Sequence, residues 1–346
     1  MRMVKHKFIL QRFPEQHYTV LFNSETGFFL RIEDVGFEPP FWSENGPELL
    51  DISITRWCDR ECLRCYRKAN LFGKHMKLEK YRQIMEQAHN LPVLQVALGG
   101  GNPNQHPDFC EILKMTREEY NIVPSYTTNG RGLTKKVLEA SAAYCGAVAV
   151  SAYSPYNELE LAIEKLISLD VKTNVHFVLD KDSIATAIQW LKNPPTFLSS
   201  VNALIFLNYK PLGRIEEKDD LLKESSSLNV FFDEVQKSHG YKIGFDSCLV
   251  SGLVNYINIS PTFFDCCDAG RFSMFISEDM QAYPCSFMEN THSSIDLENN
   301  TLLEAWTTGN EFIKIRQRTL NEKCEKCPKK IICLGGCPNW KLINLC

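Results

Sequence analysis

The 346-residue sequence lacks a strong excess of charge of either sign, a long apolar run, an internal repeat and a low-complexity segment. Its formal net charge of -4 gives no indication of a nucleic-acid partner. No uninterrupted apolar stretch approaches the length that spans a bilayer. The basic amino-terminal stretch MRMVKHKFILQRF has neither a long apolar core nor a small-residue cleavage site. We therefore expect a soluble, cytoplasmic protein with neither a nucleic-acid nor a membrane partner.

Cysteine, by contrast, is abundant, with fourteen in the chain. An intracellular protein of this size neither needs disulfides nor keeps them easily. Three cysteines lie between residues 58 and 65, nine lie in the last hundred residues, and only Cys110 and Cys145 stand alone. Clusters with short gaps are typical of metal ligands. We interpret the two isolated cysteines as small apolar packing residues.

Short apolar runs alternate with amphipathic stretches from residue 50 to about 240. The predicted strands are 49–55, 93–99, 122–128, 147–153, 172–179 and 202–208. The predicted helices include 78–90, 133–144 and 157–169. Repeated strand–helix units favour a parallel α/β sheet, either open or rolled into a partial barrel. The near-continuous apolar strands indicate burial on both faces.

The carboxyl ends of these strands gather at one edge, which is where the chemistry of parallel barrels lies. Four unusual stretches fall at that edge: the first cysteine cluster, the glycines at 99–101, TTNG at 127–130, and Ser151. The sequence therefore predicts one functional mouth.

The predicted barrel is flanked by two segments of different texture. Residues 1–49 form a β-rich lead-in with a turn at NSETG, too short for an independent core. Residues 50–240 form the barrel. Residues 241–346 form a small, cysteine-rich α+β domain with one helix near 302–317.

The first cluster, CDRECLRC, contains Cys58, Cys62 and Cys65. Three thiolates can hold three irons of a [4Fe–4S] cluster and leave the fourth iron open to another ligand. Structural zinc usually takes four protein ligands, and catalytic zinc more often uses histidine or carboxylate. Because no histidine lies within the loop, the open corner favours an iron–sulfur cluster.

This loop follows the first predicted strand and resembles the signature of the radical S-adenosylmethionine superfamily. The resemblance implies a partial (β/α)6 barrel in which the open iron chelates the amino and carboxylate groups of S-adenosylmethionine. It further implies cleavage to a 5′-deoxyadenosyl radical that abstracts hydrogen from a substrate. The aromatic residue that usually precedes the third cysteine is Arg64 here, and Tyr66 is a candidate to contact the adenine in its place.

The stretch ALGGGNPNQHPDF resembles the glycine-rich motif of the same family, whose glycines receive the methionine amino group. Gly99, Gly100 and Gly101 match it, whereas Asn102 replaces the usual glutamate. Taken alone, three glycines are equally compatible with a tight turn.

The ends of the third and fourth strands also match the family pattern. Thr128 and Asn129 belong to TTNG, and Ser151 resembles the serine that contacts the ribose or carboxylate of S-adenosylmethionine. Asn174 in the fifth strand is a candidate for the ribose, or a hydrogen-bonded strand residue. The arginine often found beyond the serine is missing from SPYNELELAIEKL, which leaves the carboxylate without a predicted cationic partner.

The carboxyl-terminal cysteines, together with TLLEAW and the GGCP ending, resemble the SPASM domain, which carries auxiliary [4Fe–4S] clusters. By this resemblance the distal cluster is held by Cys324, Cys327, Cys333 and Cys346. The proximal cluster is held by Cys267, Cys285 and Cys337, with a fourth ligand from Cys248 or Cys266, or with an open iron. Cys248 is alternatively a thiol that donates hydrogen to a substrate radical. The competing interpretation of the tail is a pair of zinc knuckles.

Several residues near the predicted mouth have two interpretations. His176 either serves as a base inside the barrel or is a satisfied core histidine. Tyr209, Lys210, Gly213 and Arg214 follow the sixth strand and shape the substrate mouth, although Lys210 and Arg214 could equally be solvated loop charges.

Radical enzymes with SPASM domains mostly act on peptides or proteins, so the resemblance implies a peptide-modifying enzyme that makes a thioether or carbon–carbon crosslink or an epimer. Its partners would be a peptide with a leader and an electron donor such as flavodoxin or ferredoxin. The leader would add a strand to the edge of the lead-in or bind a separate recognition protein. The alternatives are a sulfatase-maturing oxidase, a small-molecule enzyme of cofactor biosynthesis, and a non-enzymatic electron carrier or zinc scaffold.

Overall fold

The computed structural model describes the backbone of residues 2–5 and all of residues 7–258, 260, 265–289, 291–317, 320 and 322–346. Its strands are β1 (Arg2–Lys5), β2 (Phe8–Phe13), β3 (Tyr18–Asn23), β4 (Phe29–Glu33), β5 (Leu49–Thr55), β6 (Gln95–Gly100), β7 (Val123–Thr128), β8 (Ala147–Ser151), β9 (Thr173–Leu179), β10 (Ala203–Asn208), β11 (Lys242–Phe245), β12 (Ser273–Ile276), β13 (Gln281–Tyr283) and β14 (Ile295–Asp296).

The helices alternate with the parallel strands and then cluster near the carboxyl terminus. They are α1 (Leu78–His89), α2 (Phe109–Lys114), α3 (Lys135–Tyr144), α4 (Asn157–Ile167), α5 (Ser183–Lys192), α6 (Ser226–Val235), α7 (Val250–Tyr256), α8 (Leu302–Thr308), α9 (Asn310–Arg316), α10 (Glu322–Glu325) and α11 (Lys330–Cys333). In the described part of the chain, no helix is long and apolar enough to cross a membrane.

The lead-in folds as an antiparallel sheet in the order β1-β2-β3-β4. Alternate residues on one face are buried, and this face packs against the barrel: Val20 and Phe22 share a cluster with Leu94 and Val123. The predicted turn is present, because Asn23 Oδ1 accepts hydrogen bonds from the backbone N–H groups of residues 25 and 26. Strands β1–β4 thus form a β-sheet that packs against the barrel.

The second sheet contains ten strands among the described residues, in the order β11-β10-β9-β8-β7-β6-β5-β12-β13-β14. All neighbours from β5 to β11 are parallel, and each predicted barrel strand lies within two residues of an observed one. The sheet is open rather than closed, which confirms the partial-barrel fold. It also runs across the boundary predicted at residue 240, because β11 extends one end and β12 pairs in parallel with β5 at the other.

Successive side chains of each strand point alternately to an outer face, which the helices cover, and to an inner face. In β9, Val175 and Phe177 are buried, and the Phe177 ring packs edge-on against Trp190 of α5. The intervening Asn174 and His176 are half-buried and point to the opposite side. The concave inner face is therefore lined by polar side chains that remain accessible, and it is the natural position for a substrate.

The helix predicted near 302–317 is two helices, and the prediction of a single one is wrong. α8 begins with a capping box, in which the Thr301 hydroxyl and the Glu304 carboxylate exchange hydrogen bonds with backbone N–H groups. Gly309 then adopts an extended conformation that ends α8 and precedes α9. A Cβ at this position would lie 2.5 Å from the Ala305 carbonyl oxygen, so the sharp bend requires glycine.

Candidate active site

The first three cysteines lie in an irregular loop that follows β5. Cys62 lies within electrostatic reach of both Cys58 and Cys65, and burial is the main cause that raises its thiol pKa. Two polar side chains point at the sulfurs: Asn129 Nδ2 donates to Cys58 Sγ at 3.6 Å, and the Tyr153 hydroxyl hydrogen-bonds Cys62. Such donors stabilise negatively charged sulfur.

The segment after β10 holds this loop in place. The Arg214 guanidinium donates to the carbonyl oxygens of Glu61 and Ala69, each at 2.6 Å. The backbone N–H of Arg214 donates to the Cys65 carbonyl at 3.1 Å. Gly213 has a φ of +100°, and a Cβ there would lie 2.3 Å from the Cys65 carbonyl oxygen. Arg214 is thus a clamp on the cysteine loop, and its interpretation as a solvated loop charge is wrong.

Two of the three glycines at the end of β6 allow close contact with the same loop. The N–H of Gly101 donates to the Thr55 carbonyl at 2.7 Å. A Cβ on Gly100 would lie 1.9 Å from the Thr55 carbonyl oxygen, and one on Gly101 would lie 2.0 Å from the Trp57 carbonyl oxygen. Gly99 instead faces the hollow interior, 3.8 Å from Asp51 Oδ1 when a Cβ is added. Contact of these glycines with a cofactor stays a prediction.

Asn102 is fully buried and joins the ends of β6 and β7. Its Oδ1 accepts from the Thr128 hydroxyl at 3.0 Å and from the backbone N–H of Asn129 at 3.1 Å. Its Nδ2 donates to Gln105 Oε1 at 2.8 Å and to the Arg131 carbonyl at 3.1 Å. Protein groups take all four hydrogen-bonding positions of this amide. Asn102 therefore positions Asn129, which reaches the Cys58 sulfur.

The two residues around Cys65 point in different directions. Arg64 pairs with Asp180 at the end of β9 and with Asp220 at 2.5 Å, which ties the loop to the opposite side of the sheet. The Tyr66 ring packs against Phe287 in a tilted arrangement with centroids 4.6 Å apart. Burial, and secondly the nearby Asp51, raise the pKa of Tyr66 to about 12.

Asp51 is a site residue that the sequence interpretation missed. It lies on the inner face of β5, where Ser286 hydrogen-bonds its carboxylate and Arg67 is the nearest opposite charge. Burial raises its pKa to about 6. The available signal was the acidic residue in the otherwise apolar strand LLDISIT, since a lone carboxylate in such a strand needs a reason.

The remaining inner-face predictions lie on neighbouring strands. Ser151 hydrogen-bonds the Tyr153 hydroxyl and thereby belongs to the Cys62 neighbourhood. Asn174 Oδ1 accepts from Asn202 Nδ2 at 2.8 Å, so its amide already has a protein partner. Burial lowers the pKa of His176 to about 4, which keeps the imidazole neutral at physiological pH.

Two arginines that the sequence interpretation did not single out lie at the mouth. Arg60, in the cysteine loop, and Arg131, after β7, both pair with Glu158 at the start of α4. Arg131 also donates to the Asp59 carbonyl at 3.1 Å. Both guanidiniums therefore lie at the start of α4, the helix that follows Ser151 in the chain.

A buried ion network connects the cysteine loop to the carboxyl-terminal region. Arg67 Nη2 lies 2.6 Å from Glu278 Oε2, and Arg67 also pairs with Glu289. Arg56 contacts the same two carboxylates, and Ser53 hydrogen-bonds both Glu278 and Arg67. Burial alone would raise the pKa of Glu278, but Arg67 and Arg56 lower it. The loop and the β12–β13 turn are thus fixed to each other.

The later cysteines form two sets. In the proximal set, Cys248 shares a hydrogen bond with Cys337, while Cys285 interacts electrostatically with Cys248 and Cys267, and Cys337 with Cys267. The Cys248–Cys337 hydrogen bond raises the pKa of Cys248 and lowers that of Cys337. The Cys266 sulfur accepts a hydrogen bond from Arg271 Nη1 at 2.8 Å.

The distal set lies near the carboxyl terminus. Cys346 interacts with Cys324 and Cys327, and Cys333 interacts with Cys346 and Cys324. The SPASM resemblance implied this grouping, and the choice between Cys248 and Cys266 as the fourth proximal ligand stays a prediction. That these thiols act as ligands stays a prediction.

Comparison with known proteins matches two parts of the chain to family models. Residues 52–184 match the model of the radical SAM superfamily, and residues 266–328 match that of an iron–sulfur cluster-binding domain, SPASM. The chain belongs to the radical SAM superfamily and carries a SPASM domain. S-adenosylmethionine and iron–sulfur clusters are accordingly its cofactors.

Curated relatives fall into long, distant matches and short, closer ones. The mycofactocin maturase MftC of Mycolicibacterium smegmatis is 21% identical over 85% of this chain and 78% of its own length. A PqqA peptide cyclase of Ruegeria pomeroyi is 30% identical over 30% of this chain and 28% of its own length. A probable GTP 3′,8-cyclase of Pyrococcus abyssi is 38% identical over 24% of this chain. The chain spans only 28% of that cyclase, so such matches describe one part of each protein.

Solved structures support the fold over nearly the whole chain. SuiB of Streptococcus suis bound to S-adenosylmethionine superposes with a TM-score of 0.74 at 19% identity, over 97% of this chain and 95% of SuiB. The structure of native anSMEcpe with bound AdoMet superposes with a TM-score of 0.63 at 19% identity, over 84% of this chain and 89% of that one.

The thiol sets fit the clusters that these domains hold. In the described part of the chain, no three His, Cys, Asp or Glu side chains converge closely enough to bind a single metal ion. A [4Fe–4S] cluster requires another arrangement, because each thiolate binds a different iron. The hydrogen-bond donors at Cys58 and Cys62, and the interactions that link Cys248, Cys267, Cys285 and Cys337, are compatible with such clusters.

Proposed function

We propose that this protein is a peptide-modifying radical SAM enzyme that abstracts hydrogen from a ribosomally synthesised peptide, giving a thioether or carbon–carbon crosslink or an epimer. One observation carries the proposal. Tyr66, next to Cys65, packs against Phe287, two residues after Cys285. We therefore infer that the cysteine loop and the proximal set border one chamber, where a substrate would face both clusters.

The comparisons support a peptide substrate. The long match is to a mycofactocin maturase, the shorter one is to a PqqA peptide cyclase, and SuiB has been solved with its precursor peptide SuiA. The probable GTP cyclase of Pyrococcus abyssi matches only about a quarter of the chain. This short match therefore supports a small-molecule substrate less strongly than the other comparisons support a peptide substrate.

Of the three predicted segments (lead-in, barrel and SPASM domain), the barrel and the SPASM domain would hold the cofactors. Cys58, Cys62 and Cys65 would hold the cluster that cleaves S-adenosylmethionine reductively, and this cofactor pair supplies the radical chemistry. Gly99, Tyr66 and Ser151 border the same space. The proximal and distal sets would hold two auxiliary clusters. These clusters would exchange electrons with an external redox partner such as flavodoxin or ferredoxin.

Within the chamber, the chain itself binds, orients and shields the substrate. Asp51 lies on the inner face beside Tyr66 and opposite Gly99, whose lack of a side chain leaves room before the carboxylate. We assign Asp51 to contact a hydrogen-bond donor or cation of the peptide. The Tyr66 and Phe287 rings beside it would limit the access of water once a substrate is bound, which protects a radical from side reactions.

The lead-in sheet is proposed to recognise the leader. One face packs on the barrel, but the other exposes Phe8, Leu10, Leu30 and Ile32. Leu10, Leu21 and Leu30 are paired directly across β2, β3 and β4, so they form an apolar row next to the edge strand β4. A peptide added as a strand to this edge would place apolar side chains along that row. Hydrogen exchange should show protection of residues 29–33 on addition of a leader peptide, and unchanged exchange there would favour a separate recognition protein.

The decisive experiment is anaerobic co-expression with the short peptide encoded beside the gene, in deuterated water, followed by mass spectrometry of the peptide. Loss of two hydrogens indicates a crosslink or oxidation, whereas one solvent deuterium at an α-carbon indicates epimerisation. The matched control is the Cys58→Ala/Cys62→Ala/Cys65→Ala protein, which should leave the peptide untouched. An unmodified peptide with 5′-deoxyadenosine still produced would overturn the assignment of that peptide and point to a small-molecule or protein substrate.

Asp51→Asn provides a second readout in the same experiment. Peptide modification should fall by at least about tenfold, while reductive cleavage of S-adenosylmethionine without peptide should persist. Loss of both activities would mean that Asp51 supports the cofactor site instead of contacting the peptide.

A further inference from the structure

A buried lysine lies between the end of the barrel and the proximal cysteine set. Lys210 follows β10, and its side chain is only 3% exposed. Its Nζ donates to the Asn208 carbonyl at 3.0 Å and lies 3.3 Å from Asp246 Oδ2. The ammonium also sits 4.2 Å above the Phe287 ring, the ring that Tyr66 packs against. Its interpretation as a solvated loop charge is therefore wrong.

The same ammonium faces two cysteines of the proximal set. Lys210 hydrogen-bonds Cys248 and interacts electrostatically with Cys285. Asp246 also lies near Cys248, but there the attraction of Lys210 exceeds the repulsion of Asp246. Asp246 is 21% exposed, so water screens its charge more than that of Lys210. Lys210 therefore presents a buried positive charge to these sulfurs.

The neighbouring backbone fixes the lysine relative to the set. Asn208 Nδ2 donates to the Ile343 carbonyl at 3.0 Å and reaches the Cys248 carbonyl at 3.4 Å. The backbone N–H of Asn208 donates to Asp246 Oδ1 at 3.2 Å. The end of β10, the segment of Cys248 and the carboxyl-terminal segment therefore form one hydrogen-bonded unit, and Lys210 has no freedom to leave it.

We infer that Lys210 is the resident cation of the proximal set, which raises the reduction potential of the cluster held there and so favours electron transfer onto it. Four thiolates give a [4Fe–4S] cluster a net negative charge, and reduction adds one more electron. A fixed positive charge in a low-dielectric site stabilises the reduced form more than the oxidised form. Lys210 would act through the cluster and is a positioning residue, not a catalytic one. The inference rests on the proposed assignment of the proximal set as cluster ligands, but not on the peptide substrate.

The test compares Lys210→Gln, which removes the charge, with Lys210→Arg, which keeps it. Each reconstituted holoenzyme is titrated anaerobically and followed by electron paramagnetic resonance, without peptide and without S-adenosylmethionine. The proximal signal is identified as the one that Cys285→Ala removes. Lys181→Gln is the matched control, because Lys181 is an exposed lysine paired with Asp220.

We expect Lys210→Gln to lower the midpoint potential of the proximal cluster alone. Lys210→Arg and Lys181→Gln should stay near the parent value. Full iron content with an unchanged proximal potential in Lys210→Gln overturns the inference. If Lys210→Gln loses the proximal cluster, retention of that cluster in Lys210→Arg supports the charge, whereas loss in both variants shows a purely structural role and also overturns it. Failure of the peptide proposal leaves every one of these readouts unaffected.

Discussion

Arg67 and Glu278 form an ion pair across the two domains, with 2.6 Å between Nη2 and Oε2 and each side chain about 1% exposed. Arg67 comes two residues after Cys65, and Glu278 lies in the turn between β12 and β13 of the SPASM region. The cysteine loop that is proposed to bind S-adenosylmethionine is therefore anchored on the domain that carries the auxiliary sets.

Removing one partner of that pair should destabilise the whole protein. Arg67→Met leaves two buried carboxylates with only Arg56 between them, and breaking a buried pair typically costs about 3–5 kcal/mol. Chemical denaturation should show a loss of this order. Lys74→Met is the matched control, because Lys74 and Asp279 form an exposed pair in the same region, and its change should stay below about 0.5 kcal/mol. Equal effects in the two variants would contradict the role of the buried network.

A methyl group at Gly213 should disturb the cysteine loop. In Gly213→Ala the new Cβ would lie 2.3 Å from the Cys65 carbonyl oxygen, on a residue with a φ of +100°. We expect a loss of about 1–3 kcal/mol and a lower iron content after reconstitution. Gly240→Ala is the control, since a Cβ there meets nothing within 4 Å. Normal iron binding by Gly213→Ala would show that the loop tolerates the displacement.

The three loop cysteines should be needed for cofactor cleavage. Replacement of Cys58, Cys62 and Cys65 by alanine is expected to abolish 5′-deoxyadenosine formation. It should also lower the iron content of the reconstituted protein by the amount that one [4Fe–4S] cluster contains. Cys110→Ala should preserve both, because Cys110 lies on α2 away from the mouth. Residual 5′-deoxyadenosine in the triple variant would overturn the assignment of the first cluster.

Asn102→Asp tests whether this amide holds the mouth together. The substitution replaces the Nδ2 donor by an acceptor that faces Gln105 Oε1 and the Arg131 carbonyl. Unsatisfied buried groups cost about 1–3 kcal/mol each, so thermal unfolding should shift clearly downward. Asn90→Asp changes an exposed amide that donates to the Glu86 carbonyl, and its stability should hardly change. A stability as high as the parent's in Asn102→Asp would show that the network can rearrange.

The pKa of Asp51 predicts a pH dependence of stability. Burial raises this pKa from 3.8 to about 6, so the folded protein binds the proton more tightly than the unfolded chain does. The destabilisation is absent below the unfolded pKa and grows as pH rises from about 4 to above 6, reaching at most about 3 kcal/mol. Asp51→Asn should therefore be more stable than the parent at pH 7.5 but not at pH 4. Equal stability gains at both pH values would show that the carboxylate is not perturbed in this way.

The sequence predicted the elements whose signals are local. LLDISIT gave the bounds of β5 correctly, because seven residues with buried neighbours on both faces leave little ambiguity. The prediction of one helix over 302–317 was wrong at Gly309. The apolar periodicity continues through this residue, and the bend there depends on close contacts with Ile295 and Ala305 that the local sequence does not reveal.

The site could be predicted where chemistry requires a spacing, and not where partners come from distant segments. The spacing of Cys58, Cys62 and Cys65 indicated the first set, whereas the grouping of the later cysteines came from the resemblance to the SPASM domain. Lys210 and Arg214, in contrast, were equally compatible with solvent, because their partners lie 36 or more residues away: Asp246 for one, the backbone around Glu61 and Ala69 for the other. No local pattern encodes such contacts.

The parallel pairing of β5 with β12 has a consequence for how the chain matures in the cell. Ile52 lies opposite Ile276, so the first barrel strand acquires its second neighbour only after more than two hundred further residues have been synthesised. Until then β5 presents an open apolar edge beside three reactive thiols. Translation therefore delays completion of the cysteine loop until the SPASM strand arrives, and a ribosome-bound intermediate would be the form most in need of a chaperone and of protection from oxygen.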